Sequence, residues 1–275
     1  VLALDQLRAG EAQFESQRNQ GFTTVLTVSR DGIFNGQSAV INLAGDSVSS
    51  MLIKAPYGVH ITFTTLRTGG FPGSLLGTFA AIRQMFTDAQ RLRDWKKAYA
   101  ANPRGMKRPD ADPSLEALIP ALNGEMPVVF NANSEREIIR ALDFAAEFKL
   151  RPVISGGAEA GAVAQRLKAA NAAVLLSANL PRKTTSNSPE ADPEPLDVLR
   201  FRVEAPKTAG KLAQAGVKFA FSSAGLSNLG DFFSNAVKMT ENGLSKDAAL
   251  KAMTLGAADI LGVSDRLGSV ESGKI

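Results

Sequence analysis

The chain has 275 residues, of which 44% are hydrophobic and 21% charged, enough apolar material for one large core and too few charges for a disordered chain. Its formal net charge is +4, and no Lys/Arg block is long enough to serve as a nucleic-acid-binding arm. It has no cysteine, which excludes disulfides, thiolate metal sites and a cysteine nucleophile and leaves the compartment open between cytoplasm and periplasm. No apolar run approaches the roughly 20 residues that a membrane span needs.

Val1 opens inside a helical pattern rather than a signal peptide, so any targeting information is expected outside this sequence. Strands are predicted at Phe22–Ser29, at Ser38–Leu43 and within Met51–Phe63. Leu75, Phe79, Ile82, Phe86 and Ala89 step by four, three, four and three, which paints one apolar stripe on a helix. Asn102–Pro113 is a Pro-rich polar loop whose Arg104, Lys107 and Arg108 read as solvated charges. A strand at Val128–Ala132 follows, then Ser134 and Glu137 as a capping box. That box opens a helix expected to turn Ile138, Ile139, Leu142 and Ala146 toward a sheet.

Further strands are predicted at Pro152–Ser155, Val174–Leu180 and Val217–Ser222. Gly156–Gly157 and Gly225 lie just after two of them, where the chain must turn sharply. A second Pro-rich stretch, Pro181–Pro195, reads as a surface insertion, with a lid over an active face as its functional alternative. The strands are short and nearly continuous in apolar character, as strands buried on both faces are. Alternation of strand and helix predicts a parallel sheet with right-handed crossovers. The count is about seven strands, one fewer than a closed (β/α)8 barrel has.

Few residues carry chemistry. His60 is the single histidine, and it reads as a hydrogen-bonded strand residue before it reads as a metal ligand. Asn131 either faces a ligand or fixes a neighbouring loop. Ser222 and Ser223 lack any neighbouring base or strained elbow, so neither reads as a nucleophile. Ser155, Gly157 and Ser223 sit where backbone N–H groups after strands can bind an anion, although turn geometry alone also explains them. Glu159 and Asp231 lie near strand ends without a histidine to complete an acid–base pair.

Four segments together carry a resemblance. They are PVVFNANSEREIIRAL (127–142), PVISGGAEAGAVAQRLKAANAAVLL (152–176), AGVKFAFSSAG (215–225) and LSKDAALKAMTLGAADILGVSDRLGSVESGKI (244–275). They resemble the imidazolonepropionase-related branch of the amidohydrolase superfamily, and GFTTVLTVSRDGIFNGQSAVINLAG (21–45) is similar to its second and third barrel strands. The resemblance implies an α/β fold, a TIM (β/α)8-type barrel domain over residues 1–275. It further implies that the first strand and a flanking β-sandwich are missing from this chain.

The resemblance also implies a metal site, because the family hydrolyses non-peptide C–N bonds with zinc or a similar ion held by imidazole and carboxylate. Nothing here matches the family's His-x-His pair. The bridging position on strand four falls on His60, with Lys54 as the other candidate; the strand-five and strand-six histidines fall on Asn131 and Gly156; the strand-eight aspartate falls on Ala224. Asn131 is a weak neutral ligand, Gly156 has no side chain, and Ala224 neither binds a metal nor accepts a proton. The expectation is therefore a degenerate relative with no cofactor, binding a small anionic ligand through Asn131, Ser155, Gly157 or Ser223, or binding a partner. The alternative is an active amidohydrolase with a rebuilt or upstream-completed zinc or other divalent site. Neither nucleic acid nor membrane is an expected partner, and a homo-oligomer is compatible with the sequence.

Overall fold

The structure is a computed structural model that describes residues 1–10, 12–65, 70–183 and 194–275. The chain divides into two compact units, residues 1–131 with 143–153 and residues 132–142 with 154–275.

The first unit carries β1 (Thr24–Thr27), β2 (Phe34–Gln37), β3 (Ala39–Asn42), β4 (Leu52–Lys54), β5 (Val59–Thr62) and most of β6 (Val128–Ala132). The pair expected as parallel barrel strands, β1 and β3, instead runs antiparallel, with Val25 opposite Ile41 and Thr27 opposite Ala39. β4 adds to β3, also antiparallel, giving a separate three-stranded sheet in the order β1-β3-β4. Connection length explains the departure. Residues 28–38, eleven that include β2, separate β1 from β3, and residues 43–51, nine, separate β3 from β4, whereas a parallel neighbour needs a crossover of about a dozen residues or more. One face of this sheet buries Ala39, Ile41 and Leu43 against Ala3, Phe14 and Met51.

β2 pairs antiparallel with β5, placing Gly36 opposite His60. β2 was not predicted, because FNGQ offers neither alternation nor β-branched residues. β5 then pairs parallel with β6, Val59 opposite Val128 and Thr62 opposite Asn131. Here the crossover is long and contains helix Leu75–Ala101, which Ser74 caps by accepting from Gly77 N–H at 3.1 Å. The predicted stripe is buried at Ile82, Phe86 and Ala89, while its first member, Leu75, is exposed. Phe86 lies 5.4 Å from the Phe144 ring and 5.5 Å from Phe148, and its complete burial is worth about 2–3 kcal/mol.

The strand β7 (Pro152–Gly156) leads into the second unit, which holds β8 (Ala173–Ser177) and β9 (Phe219–Ser222) in the order β7-β8-β9. β8 and β9 are parallel, with Val174 opposite Phe219 and Ser177 opposite Ser222. Helix Glu135–Glu147 buries Ile138, Ala141, Leu142 and Ala145, a spacing of three, one and three that makes one stripe. Ile139 is half-buried and Ala146 exposed, so the buried stripe is rotated slightly from the expected one.

The fold is thus mixed α/β with a largely parallel sheet. The expected closed barrel is not seen: among the described strands β2 pairs only with β5 and β9 only with β8, and three of the strands lie in the antiparallel sheet. Most of the second Pro-rich stretch, residues 184–193 of the predicted insertion or lid, lies outside the described residues.

Candidate functional site

The C-terminal ends of parallel strands are where α/β proteins place their chemistry, and each unit is built differently there. In the first unit Asn131 is exposed at the end of β6, opposite Thr62. The Thr62 hydroxyl donates to Asn35 Oδ1 at 2.7 Å, and Asn35 Nδ2 donates to the carbonyls of Asp31 and Gly32 at 3.2 and 3.1 Å. Asn35 is only 7% exposed, so this carboxamide holds the turn before β2 and is fully occupied in doing so.

His60 sits inside β5, 8% exposed, with Nε2 2.9 Å from the Ser38 hydroxyl. Ser38 Oγ in turn lies 3.3 Å from the Gly58 carbonyl. Burial pushes the imidazole pKa down from 6.5 to about 4, so the ring is neutral at pH 7. Lys54 ends β4 with Nζ 5.8 Å from the centre of the Tyr57 ring. Burial raises the Tyr57 hydroxyl to about 12, against the opposing effect of Arg151.

In the second unit Gly156 ends β7 with a φ of +101°, and a Cβ placed on it would stand 2.4 Å from Asn133 Oδ1. Around this corner the backbone is tied down. Gly157 N–H donates to the Ala132 carbonyl and Glu159 N–H to the Asn133 carbonyl, both at 2.9 Å. Glu137 Oε2 accepts from Asn133 N–H at 2.8 Å and from Ser134 N–H at 3.0 Å, completing the predicted capping box. Glu159 Oε2 accepts from Glu135 N–H at 2.7 Å. The N–H groups of Glu135 and Glu137 in the first turn of the 135–147 helix, and that of Gly157, are therefore bonded to the protein itself. Ser155 is half-buried within β7.

At the ends of β8 and β9 the Ser177 hydroxyl donates to the Ala224 carbonyl at 2.5 Å and accepts from Asn179 N–H at 3.1 Å. Ser222 Oγ accepts from Ala224 N–H at 3.2 Å, and the Ser223 carbonyl accepts from Leu226 N–H at 3.2 Å. Ala224 thus lies in a turn held by two serine hydroxyls. Asp231 opens helix Asp231–Glu241 and pairs with Arg182. Asn235 is buried and donates to the Ala178 carbonyl at 2.9 Å.

Sequence reasoning singled out the strand-end positions and missed the side chains that hold them. They are Asn133, Asn35, Thr62, Ser177 and Asn235. Their one legible signal is a polar residue at or just beyond an apolar strand. Of the residues carried over from the resemblance, His60 and Lys54 have other engagements, Gly156 and Ala224 have no ligating side-chain atom, and Asn131 presents an exposed carboxamide. Among the described residues no three His, Asp or Glu side chains gather as a metal requires, and Asn131, Gly156 and Ala224 do not make a divalent-metal donor set. A cleft of about 350 Å³ lies elsewhere in the first unit, between Phe14, Glu15, Arg18, Leu43, Asp46 and Met51.

Residues 195–275 match the Amidohydrolase family. Among solved structures the chain is similar to an amidohydrolase from Thermotoga maritima MSB8, with 25% identity and a TM-score of 0.81 over 98% of this chain and 69% of that one. It also matches a prolidase complexed with N-methylphosphonate-L-proline (23% identity, 58% of this chain and 39% of that one, TM-score 0.43). An adenosine deaminase from Xanthomonas campestris with bound zinc matches at 18% identity, over 79% of this chain and 50% of that one, with a TM-score of 0.41. No curated protein sequence matches the chain.

Proposed function

We propose that the chain is the barrel portion, over residues 1–275, of an amidohydrolase-like protein. It descends from hydrolases of non-peptide C–N bonds in cyclic amides, in the imidazolonepropionase-related branch, and now binds a ligand or partner without turning it over. The Amidohydrolase match over 195–275 and the likeness to the Thermotoga maritima amidohydrolase support the ancestry. The loss of catalysis rests chiefly on Gly156, whose missing side chain is replaced in space by the Asn133 carboxamide. A residue that had merely lost its side chain would leave room for one; here a neighbour fills it. The position of the family's aspartate supplies no general base, since Ala224 gives only backbone atoms to its turn, and the Glu137 and Glu159 carboxylates near Gly156 accept from backbone N–H groups.

The net charge of +4 favours a small anionic ligand, and the exposed carboxamide of Asn131 is the donor we assign to it. The test is a panel of cyclic amides and their ring-opened carboxylates, scored for binding by calorimetry and for ring opening by absorbance. Binding of a carboxylate without ring opening supports the proposal. Ring opening that follows added zinc or manganese would favour an active enzyme with a rebuilt or upstream-completed site.

A further inference from the structure

One stretch of the chain concentrates its positive charge. Between Arg91 and Arg108 lie seven Lys/Arg residues and a single acid, Asp94, a net of +6 against +4 for the whole chain, so that the remainder is −2. The segment is the last part of helix Leu75–Ala101 and the loop after it. The loop folds back along the helix, because Trp95 donates its indole N–H to the Lys107 carbonyl at 3.2 Å. Arg91 lies one turn before Trp95, on the same helix face. The loop's Arg104, Lys107 and Arg108 are thereby brought alongside it.

Three bases of this segment have acidic partners: Arg93 with Asp94, Lys96 with Glu116 and Lys107 with Asp110. Arg91, Arg104 and Arg108 are exposed and have no acidic partner among the described residues. Gly105 turns the chain at a φ of +72°, and next to it Met106 is 36% exposed. The tip therefore presents an alkyl thioether flanked by Arg104, Lys107 and Arg108.

We propose that this face docks the protein on an anionic bilayer surface. Clustered bases attract anionic headgroups, and an apolar side chain between them suits the headgroup–acyl boundary. Single-stranded nucleic acid fits less well, because Trp95 is half-buried with its N–H engaged and offers no stacking platform. This inference concerns other residues than the proposed ligand site, although both draw on the same basic excess, and it revises the reading of Arg104, Lys107 and Arg108 as merely solvated and the expectation that a membrane is no partner.

The test is co-sedimentation with vesicles of phosphatidylcholine alone or mixed with phosphatidylglycerol, at low and high salt. Binding to the mixed vesicles only, and its loss at high salt, is the expected result. The triple variant Arg91→Glu, Arg104→Glu, Arg108→Glu should bind about a hundredfold more weakly. A control with the same charge change, Lys218→Glu, Lys246→Glu, Lys251→Glu, should stay within a few-fold of the parent, with unchanged circular dichroism in both. No binding to mixed vesicles, equal binding to neutral ones, equal losses in the two triple variants, or displacement by duplex DNA at lower concentration than lipid would each overturn the proposal.

Discussion

The Asn133 carboxamide fills the space beside Gly156 in which a side chain would begin: a Cβ there would lie 2.4 Å from Oδ1 and 2.9 Å from Cγ. The backbone around both residues is fixed by bonds from Gly157 to Ala132 and from Glu159 to Asn133. The glycine is thus required twice, for its positive φ and for its missing Cβ.

Replacing Gly156 by His should accordingly destabilise the protein by about 2–5 kcal/mol, from the left-handed backbone and from overpacking together. Adding Asn133→Ala should recover the overpacking share and leave the backbone share. Urea unfolding of the two variants checks this. Equal stability of both would show that Asn133 does not compete for the space.

His60 makes stability depend on pH. Its pKa falls from 6.5 to about 4 on burial, so the unfolded chain takes up the proton first. The contribution is complete above about pH 6.5 and is lost as pH falls toward about 4. Between about pH 7.5 and about pH 5 the loss attributable to this residue is about 2 kcal/mol. His60→Gln should flatten that part of the profile. An unchanged profile in denaturant titrations at the two pH values would contradict the buried neutral ring.

Asn35 is a polar anchor in the first unit. Thr62→Val removes the 2.7 Å hydroxyl donor to Asn35 Oδ1 while keeping shape, which leaves a buried acceptor unpaired and costs about 1–3 kcal/mol. The double variant Thr62→Val, Asn35→Leu should not regain the loss, because the Asp31 and Gly32 carbonyls would then lose their donor. A thermal unfolding series of the three proteins distinguishes these outcomes.

Several elements were legible from sequence because one local rule governed them. β6 at Val128–Ala132 has the predicted bounds, and the Ser134–Glu137 box starts its helix as expected. β2 escaped, since its pairing with β5 is tertiary and its residues are poor strand formers. β1 and β3 were recognised as strands but placed in the wrong sheet. The deciding quantity was the length of their connection, residues 28–38, too short for a helical crossover once β2 occupies part of it. Around the candidate positions, the substitutions at Asn131, Gly156 and Ala224 could be read directly. What engages their neighbours could not, because Ser38 with His60 and Ser177 with Ala224 meet across 22 and 47 positions.

The central claim is that the chain's own residues no longer form a divalent-metal site. Metal content by mass spectrometry, after incubation with zinc or manganese and desalting, tests it most directly. The account predicts far less than one ion per chain. A stoichiometric ion would contradict it and would make His60 and Lys54 the first ligands to substitute.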